Sequence, residues 1–356
     1  MGVPLATIDD LKAINTIRNS VVSLFMSEKE SKSAQNNLPN FISHHNIRNS
    51  IIKNRPANKN LWYSQFIRKH EIPETDYFYT YHFPALRISK STSIIRIHDP
   101  FLKSVNIFHE LFTKSSYKNK IARIVRSIAF EYVEKKAILV CNTFFTARKI
   151  SSRYNIAPDR LHVIPNSFEY KSHDQLKLYK SVNNSSDNYF LMICGLRGNK
   201  RPDIVINTWS SYSMTLPKMV VIGNIPVSCL NKNSLDALYS GRLKLINRVS
   251  ESELTTLSVN SNAMIFASEY EGFGRPVIEA LISGVPSIAN DLEVFKEIDT
   301  GDVDFFSLEN PNSLVPILEK YCSKIDEKRS KVILDNVKMY SHENVGKKWK
   351  ALLEHF

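Results

Sequence analysis

Glycine and cysteine are the scarce residues here. Ten glycines serve 356 residues, and only Gly2 precedes Gly195, so no glycine-rich phosphate loop lies in the first half of the chain. The four cysteines, Cys141, Cys194, Cys229 and Cys322, are scattered and form no Cys-x-x-Cys pair. That excludes a disulfide framework and a structural zinc site, and fits a reducing compartment. No apolar run approaches the roughly 20 residues of a transmembrane helix. The first ten residues lack the basic start and apolar stretch of a signal peptide, so a soluble intracellular protein is expected. Net charge is absent from one half: residues 171–356 carry 22 Lys and Arg against 22 Asp and Glu. Residues 1–170 carry 25 against 13, so the whole excess of +12 sits there. A basic half implies an anionic partner (nucleic acid, a membrane surface or a phosphorylated substrate) or a merely solvating surface.

The length is too great for one ordinary core and suits two domains of roughly 150–180 residues. Hydrophobic residues at 43% and charged residues at 23% are globular composition. Residues 27–60 are polar and basic, with no sustained period. Further on, aromatic and β-branched runs predict short buried strands at 76–82 and 93–99. Ile121, Ile124, Val125, Ile128, Ala129 and Tyr132 fall at helical spacing and predict a helix over 114–136, decorated by Lys118, Lys120, Arg123 and Arg126. A strand at 137–141, a helix at 143–153 and a strand at 161–164 follow. The stretch 181–188 has linker composition. After it, strands at 189–194, 218–223, 242–246, 263–266 and 286–289 alternate with helices at 202–212, 231–239, 250–260 and 275–283. Such alternation implies a parallel sheet covered on both faces. The fold class is therefore α/β, with ligands expected beyond the carboxyl ends of the strands and in a cleft between two domains.

The segment 267–280, Ala-Ser-Glu-Tyr-Glu-Gly-Phe-Gly-Arg-Pro-Val-Ile-Glu-Ala, sits at such a strand end. Gly272 and Gly274 let backbone approach a ligand closely, and the N–H groups of the following helix suit a diphosphate. Glu271 and Glu279 bracket the turn eight residues apart. A carboxylate beside a phosphate site makes sense where it accepts hydrogen bonds from the neutral hydroxyls of a sugar or ribose. Elsewhere, Asp302-Val303-Asp304 spells an Asp-x-Asp metal motif, but it lies late in the second domain beside Phe305-Phe306 and is not expected to hold metal. His44-His45 falls in the polar segment and reads as solvated. Asn183-Asn184-Ser185 fits a glycosylation sequon that a chain without a secretory signal would not use.

The 267–280 segment resembles the donor-binding signature of glycosyltransferase family 4, the retaining GT-B-fold nucleotide-sugar transferases. Glu271 and Glu279 match the Glu-x7-Glu motif of that family. The resemblance implies that Glu271 contacts the donor sugar, Glu279 the ribose, and Gly272, Phe273 and Gly274 the sugar and phosphates. Ser283-Gly284-Val285-Pro286 continues it. Cys194-Gly195-Leu196-Arg197-Gly198-Asn199-Lys200 is similar to the glycine turn whose cations clamp the donor diphosphate, which implies donor roles for Gly195, Arg197 and Lys200, with Arg201 a rival. Fixed cations there would stabilise the charge on the departing nucleotide. Thr143-Phe144-Phe145-Thr146 and Ile164-Pro165-Asn166 resemble a family stretch ending in Pro-Asn-Gly, with Ser167 in the glycine's place. Ile95-Arg96-Ile97-His98-Asp99-Pro100 resembles the strand end bearing an acceptor-side histidine. This implies His98 at the acceptor, hydrogen-bonding the reacting sugar or receiving a proton, with Asp99 orienting it or capping a turn.

The resemblance implies a GT-B architecture: two Rossmann-like parallel-sheet domains facing a central cleft. The expected division is 1–184 for the acceptor side, 185–340 for the donor side, and a terminal helix over 341–356 crossing back to the first domain. The implied activity is retaining transfer of a hexosyl group from a nucleotide diphosphate sugar to a glycan or polyprenyl-diphosphate-linked acceptor, as in bacterial surface polysaccharide synthesis. No cofactor or metal is expected. The basic half then suits an anionic acceptor and an anionic leaflet, with the protein peripheral at the inner face of the cytoplasmic membrane. Two rivals remain at this stage. One is a non-catalytic sugar-nucleotide-binding or partner subunit, suggested by the missing glycine-rich loop at the start. The other is a basic nucleic-acid-binding protein, for which no motif is present.

Overall fold

The computed structural model describes residues 9, 10, 12–14, 16, 137–182, 188–194 and 199–356, together with strands at 22–27, 47–52, 77–80 and 92–97 and the following residue His98. The basic helix expected over 114–136, Asp99, His44, His45 and the 183–185 sequon lie outside these residues. The chain divides into two compact units, Met1–Ser167 with His342–Phe356, and Phe168–Ser341.

In the first unit, strands β1 (Val22–Ser27) and β2 (Ile47–Ile52) pair in parallel. Neither is legible in the sequence, because the stretch around them is polar. Strands β3 (Tyr77–Thr80), β4 (Thr92–Ile97), β5 (Ile138–Cys141) and β6 (Leu161–Val163) form a four-stranded parallel sheet in that order. Alternate residues of a strand face opposite sides, and the cores follow that rule. Ile95, Ile97, Leu139 and Cys141 pack with Ala147 and Ile150 of the Phe144–Tyr154 helix. Ile94, Ile138 and Val140 pack with Ala13, Val345 and Trp349 on the other face. Thr143 caps the Phe144–Tyr154 helix by accepting from Thr146 N, and Asn155 ends it in the left-handed region at φ 51°. The terminal helix, His342–His355, covers the second face. Its Gly346 permits close approach, since a Cβ there would lie 2.2 Å from Thr16 Oγ1 and 2.6 Å from Ala13 O.

Arg96 of β4 shares that second face and is 1% exposed. A buried guanidinium is tolerated only when its donors are used and its charge is paired. Nε lies 2.9 Å from Asp10 Oδ2. Nη1 donates to the carbonyls of Cys141 and Ile164 at 3.0 and 2.6 Å. Nη2 reaches Pro165 O and Asn166 Oδ1 at 3.2 and 3.3 Å, and the guanidinium carbon lies 5.5 Å from the centroid of the Trp349 ring. One side chain thus ties the carboxyl ends of β5 and β6 to the segment holding Asp10.

The second unit contains a six-stranded parallel sheet. Its strands are β7 (Tyr189–Ile193), β8 (Lys218–Ile222), β9 (Leu243–Ile246), β10 (Ala263–Phe266), β11 (Ser287–Asn290) and β12 (Val303–Phe306). The spatial order is β12-β11-β10-β7-β8-β9. Helices Pro202–Ser210, Lys232–Tyr239, Glu251–Asn260 and Arg275–Ile282 link the strands where the sequence predicts them. Ser250 and Glu253 form a capping box at the third of these. Strand β12 and the helices Glu293–Ile298, Leu314–Lys320 and Glu327–Val337 escaped the sequence reading. The division also differs from the expected 184/185. Leu176, on the His173–Val182 helix, packs with Val259 and Leu334, so the linker-like 181–188 joins two elements of one unit. The chain enters that unit at Phe168 and leaves at Ser341, where the two residues form a parallel bridge.

Replacing Arg96 with Met removes the cation that pairs with the buried Asp10 carboxylate, and is expected to lower the unfolding free energy in urea by about 3–5 kcal/mol. Adding Asp10→Asn to Arg96→Met should recover part of that loss. Strictly additive losses would contradict the pairing.

Candidate functional site

The order of the second sheet fixes where a ligand can sit. From β7 the chain runs outward through β8 and β9, then returns to the other side of β7 and runs outward through β10, β11 and β12. The chain therefore leaves β7 and β10 from adjacent strand ends, and the crevice outside such ends is the usual ligand position in open α/β sheets. Strands β7 and β10 pair directly, with Phe190 opposite Ala263 and Met192 opposite Ile265.

Backbone bonds zip the two loops together. Arg201 N donates to Ala267 O at 3.1 Å, and Glu269 N donates to Asn199 O at 2.8 Å. The Asn199 side chain donates to Tyr270 O at 2.9 Å, while Asn290 at the end of β11 donates to Ser268 O at 3.0 Å. Lys200 bridges to Ser268 along the backbone, and its Nζ donates to Ser268 Oγ at 3.0 Å. The same ammonium pairs with Glu271 Oε1. The two side chains are 17% and 18% exposed, screened from bulk water yet still reachable by a ligand. Sequence reasoning gave Lys200 and Glu271 separate duties. The structure brings them into direct contact.

The other expected donor residues separate into groups. Gly195 and Arg197 lie outside the described residues. The rival Arg201 is engaged by Asp203 at 2.9 Å and Glu269 at 2.8 Å. These partners raise its pKa, and Arg201 in turn holds the Asp203 carboxyl below its ordinary value. Of the signature glycines, Gly274 has the left-handed backbone, at φ 93°, and caps the Arg275–Ile282 helix; Gly272 is not among the positive-φ residues. The Phe273 side chain is 3% exposed and packs on Phe168 and Tyr340, with ring centroids 6.1 and 6.0 Å apart. It is a core residue, and only its backbone is left for a donor. Glu279 lies one turn into the helix, 38% exposed, with its Oε1 3.3 Å from Arg275 Nη2. Cys194, at the end of β7, is buried. Burial pushes its thiol up to about 12 against a smaller pull from Lys200, which leaves it inert as a nucleophile.

His98 belongs to the first unit, just past the carboxyl end of β4, and its carbonyl accepts from Asn142 Nδ2 at 2.9 Å. Asp302 and Asp304 serve local structure. Asp302 lies 2.6 Å from Arg329 and accepts from Asn336 at 3.1 Å. Asp304 accepts from Lys320 and from the Tyr321 hydroxyl, at 2.7 and 2.5 Å. The residues that sequence reasoning passed over are Asn199, Ser268, Asn290 and Arg275. The first three act through side-chain bonds across non-adjacent loops, which no sequence period marks. Arg275 stood inside the signature and was read only as the start of a helix.

Comparison with known proteins agrees with this fold. Residues 174–324 match the family model described as glycosyl transferases group 1, a match that takes in all six strands of the second sheet. The O-antigen chain mannosyltransferase RfbU of Salmonella typhimurium is 25% identical over 195 residues, 53% of either chain. The serotype-specific mannosyltransferase WbdA of Escherichia coli is 36% identical over 86 residues, 24% of this chain and 11% of that one. The match thus spans about half of RfbU and a small part of WbdA. Among solved structures, Anabaena HepE in complex with UDP superposes with a TM-score of 0.65 at 14% identity, over 99% of this chain and 96% of the other. WaaG, a glycosyltransferase involved in lipopolysaccharide biosynthesis, gives 0.63 at 13%, over 98% and 96%. Within the second unit the sequence is similar to the glycosyl transferases group 1 model, and the chain has the GT-B fold of these structures.

Gly274→Ala places a Cβ 2.4 Å from Phe295 Cε1 and forces alanine into the left-handed region. It is expected to destabilise the protein by more than about 1–2 kcal/mol. A chemical melt that shows no loss would contradict the described turn.

Proposed function

We propose that the chain is a glycosyltransferase that moves a hexosyl group, with retention, from a nucleotide diphosphate sugar to a glycan or lipid-linked acceptor in bacterial surface polysaccharide synthesis. The observation that carries this reading is the Lys200–Glu271 pair across the ends of β7 and β10. As the glycosidic bond to the diphosphate breaks, negative charge builds on the departing phosphate oxygen. In this reading Lys200 and the positive end of the Arg275–Ile282 helix dipole stabilise it. Glu271, relieved of part of its pairing, accepts from donor-sugar hydroxyls, and Glu279 accepts from the ribose. By resemblance, Gly195 and Arg197 complete the diphosphate clamp and His98 serves the acceptor.

Fixed cations and a helix terminus supply the electrostatics of the leaving group, so the reaction is metal-independent in this reading. The names of RfbU and WbdA make a mannosyl donor the first to assay, and HepE supports a nucleoside diphosphate as the product. The basic first half suits an anionic polyprenyl-diphosphate acceptor at a membrane surface. Among the described residues no helix is long and apolar enough to cross a membrane, which is compatible with peripheral docking.

With folding intact, Glu271→Ala and Lys200→Ala should each slow transfer about a hundredfold, roughly 2.7 kcal/mol on the barrier. Glu279→Ala should weaken nucleotide binding. In the same assay EDTA should leave turnover unchanged, and transfer to acceptor held in anionic vesicles should fall as salt rises. Wild-type turnover in both the Glu271 and Lys200 variants would defeat the assignment.

A further inference from the structure

Arg275 opens the Arg275–Ile282 helix one turn before Glu279. Helix electrostatics argue against a cation at this point. The N-terminus of a helix carries partial positive charge, and a cation four residues ahead of an anion is the weaker order for such a pair. The pair is made nonetheless, with Arg275 Nη2 3.3 Å from Glu279 Oε1. The guanidinium carbon also lies 4.6 Å from the centroid of the Phe168 ring, and Phe168 is 3% exposed. The cation is thus seated on a fixed aromatic face, 21% exposed, while the carboxylate it holds is the more open group at 38%. Helix stability does not account for this arrangement, whereas presentation of the carboxylate does.

We propose that Arg275 is a positioning residue that locks the Glu279 carboxylate for the ribose hydroxyls of a nucleoside diphosphate, so that the site selects ribonucleotides over 2′-deoxyribonucleotides. The inference rests on the donor-site reading above, in which Glu279 takes the ribose. A free glutamate loses rotamer freedom when it binds vicinal hydroxyls. Arg275 removes that freedom beforehand by engaging Oε1, which leaves Oε2 for the ligand. Arginine suits the task because its planar group pairs with a carboxylate while lying on a ring, which a lysine ammonium cannot reproduce.

The test titrates the full-length protein, by calorimetry, with whichever of UDP, GDP and ADP binds most tightly and with the 2′-deoxy form of that nucleotide. Wild type, Arg275→Ala, Arg275→Lys and Glu279→Ala are compared. Wild type should prefer the ribonucleotide by about tenfold or more, the value of a hydrogen bond to a charged group. Arg275→Ala should lose most of that preference while keeping its affinity for the deoxynucleotide. Arg275→Lys should lose it too, and serves alone if the alanine variant does not fold. A wild-type preference retained in the Arg275 variants, or both nucleotides weakened alike, overturns the inference. If the preference is also lost in Glu279→Ala, the ribose reading then stands without it. No preference in wild type overturns the ribose reading and the inference with it.

Discussion

The strand-end crevice of the second unit is organised by a lysine and a glutamate that meet across two loops far apart in sequence. Lys200 leaves β7 and Glu271 leaves β10, and they touch because the sheet order sets those strands side by side. At an effective dielectric of about 20 such a pair attracts by roughly 4 kcal/mol before desolvation is counted. Most of that gain is offset by removing both charges from water, so the pair contributes little net stability. Its consequence is placement. Two opposite charges are held at a strand-end crevice, and in the proposed function each exchanges its partner for a ligand group of the right sign. The backbone bonds among Asn199, Arg201, Ala267 and Glu269 keep that exchange from pulling the loops apart.

A similar principle organises the first unit with a different outcome. Arg96 is an ion-pair member with its donors satisfied internally, and it is almost wholly buried. Lys200 and Glu271 retain access to solvent. One charged cluster therefore reads as a structural tie and the other as a site, a distinction set by exposure and not by residue type.

Much of this was legible in the sequence because the second unit is regular. Its strands are short apolar runs separated by polar helices, and the 267–280 segment carries glycine and carboxylate at fixed spacing. Five of its six strands and the four helices between them followed from period alone. Strand β12 did not, because Asp304 and the neighbouring Asp302 break the apolar run and were weighed as a metal motif. The unit boundary was misplaced since composition marks a polar stretch but cannot show that Leu176 packs onto Val259 and Leu334. Strands β1 and β2 lie within or beside polar, aperiodic sequence. At the site, positions were readable and contacts were not. The sequence named Lys200, Glu271 and Glu279, but could not show that the first two are paired, that Phe273 faces inward, or that Arg275 is seated on Phe168.

The central claim is that the ends of β7 and β10 form a nucleoside diphosphate site. Thermal melting of the full-length protein against UDP, GDP, ADP and dTDP tests it most directly, in wild type and Lys200→Ala side by side. A ligand that binds the folded state raises the melting temperature with concentration, by mass action. At least one nucleotide should raise that of wild type in a concentration-dependent way, and the shift should be lost or greatly reduced in Lys200→Ala. No shift with any of the four, or an equal shift in both proteins, would contradict the account.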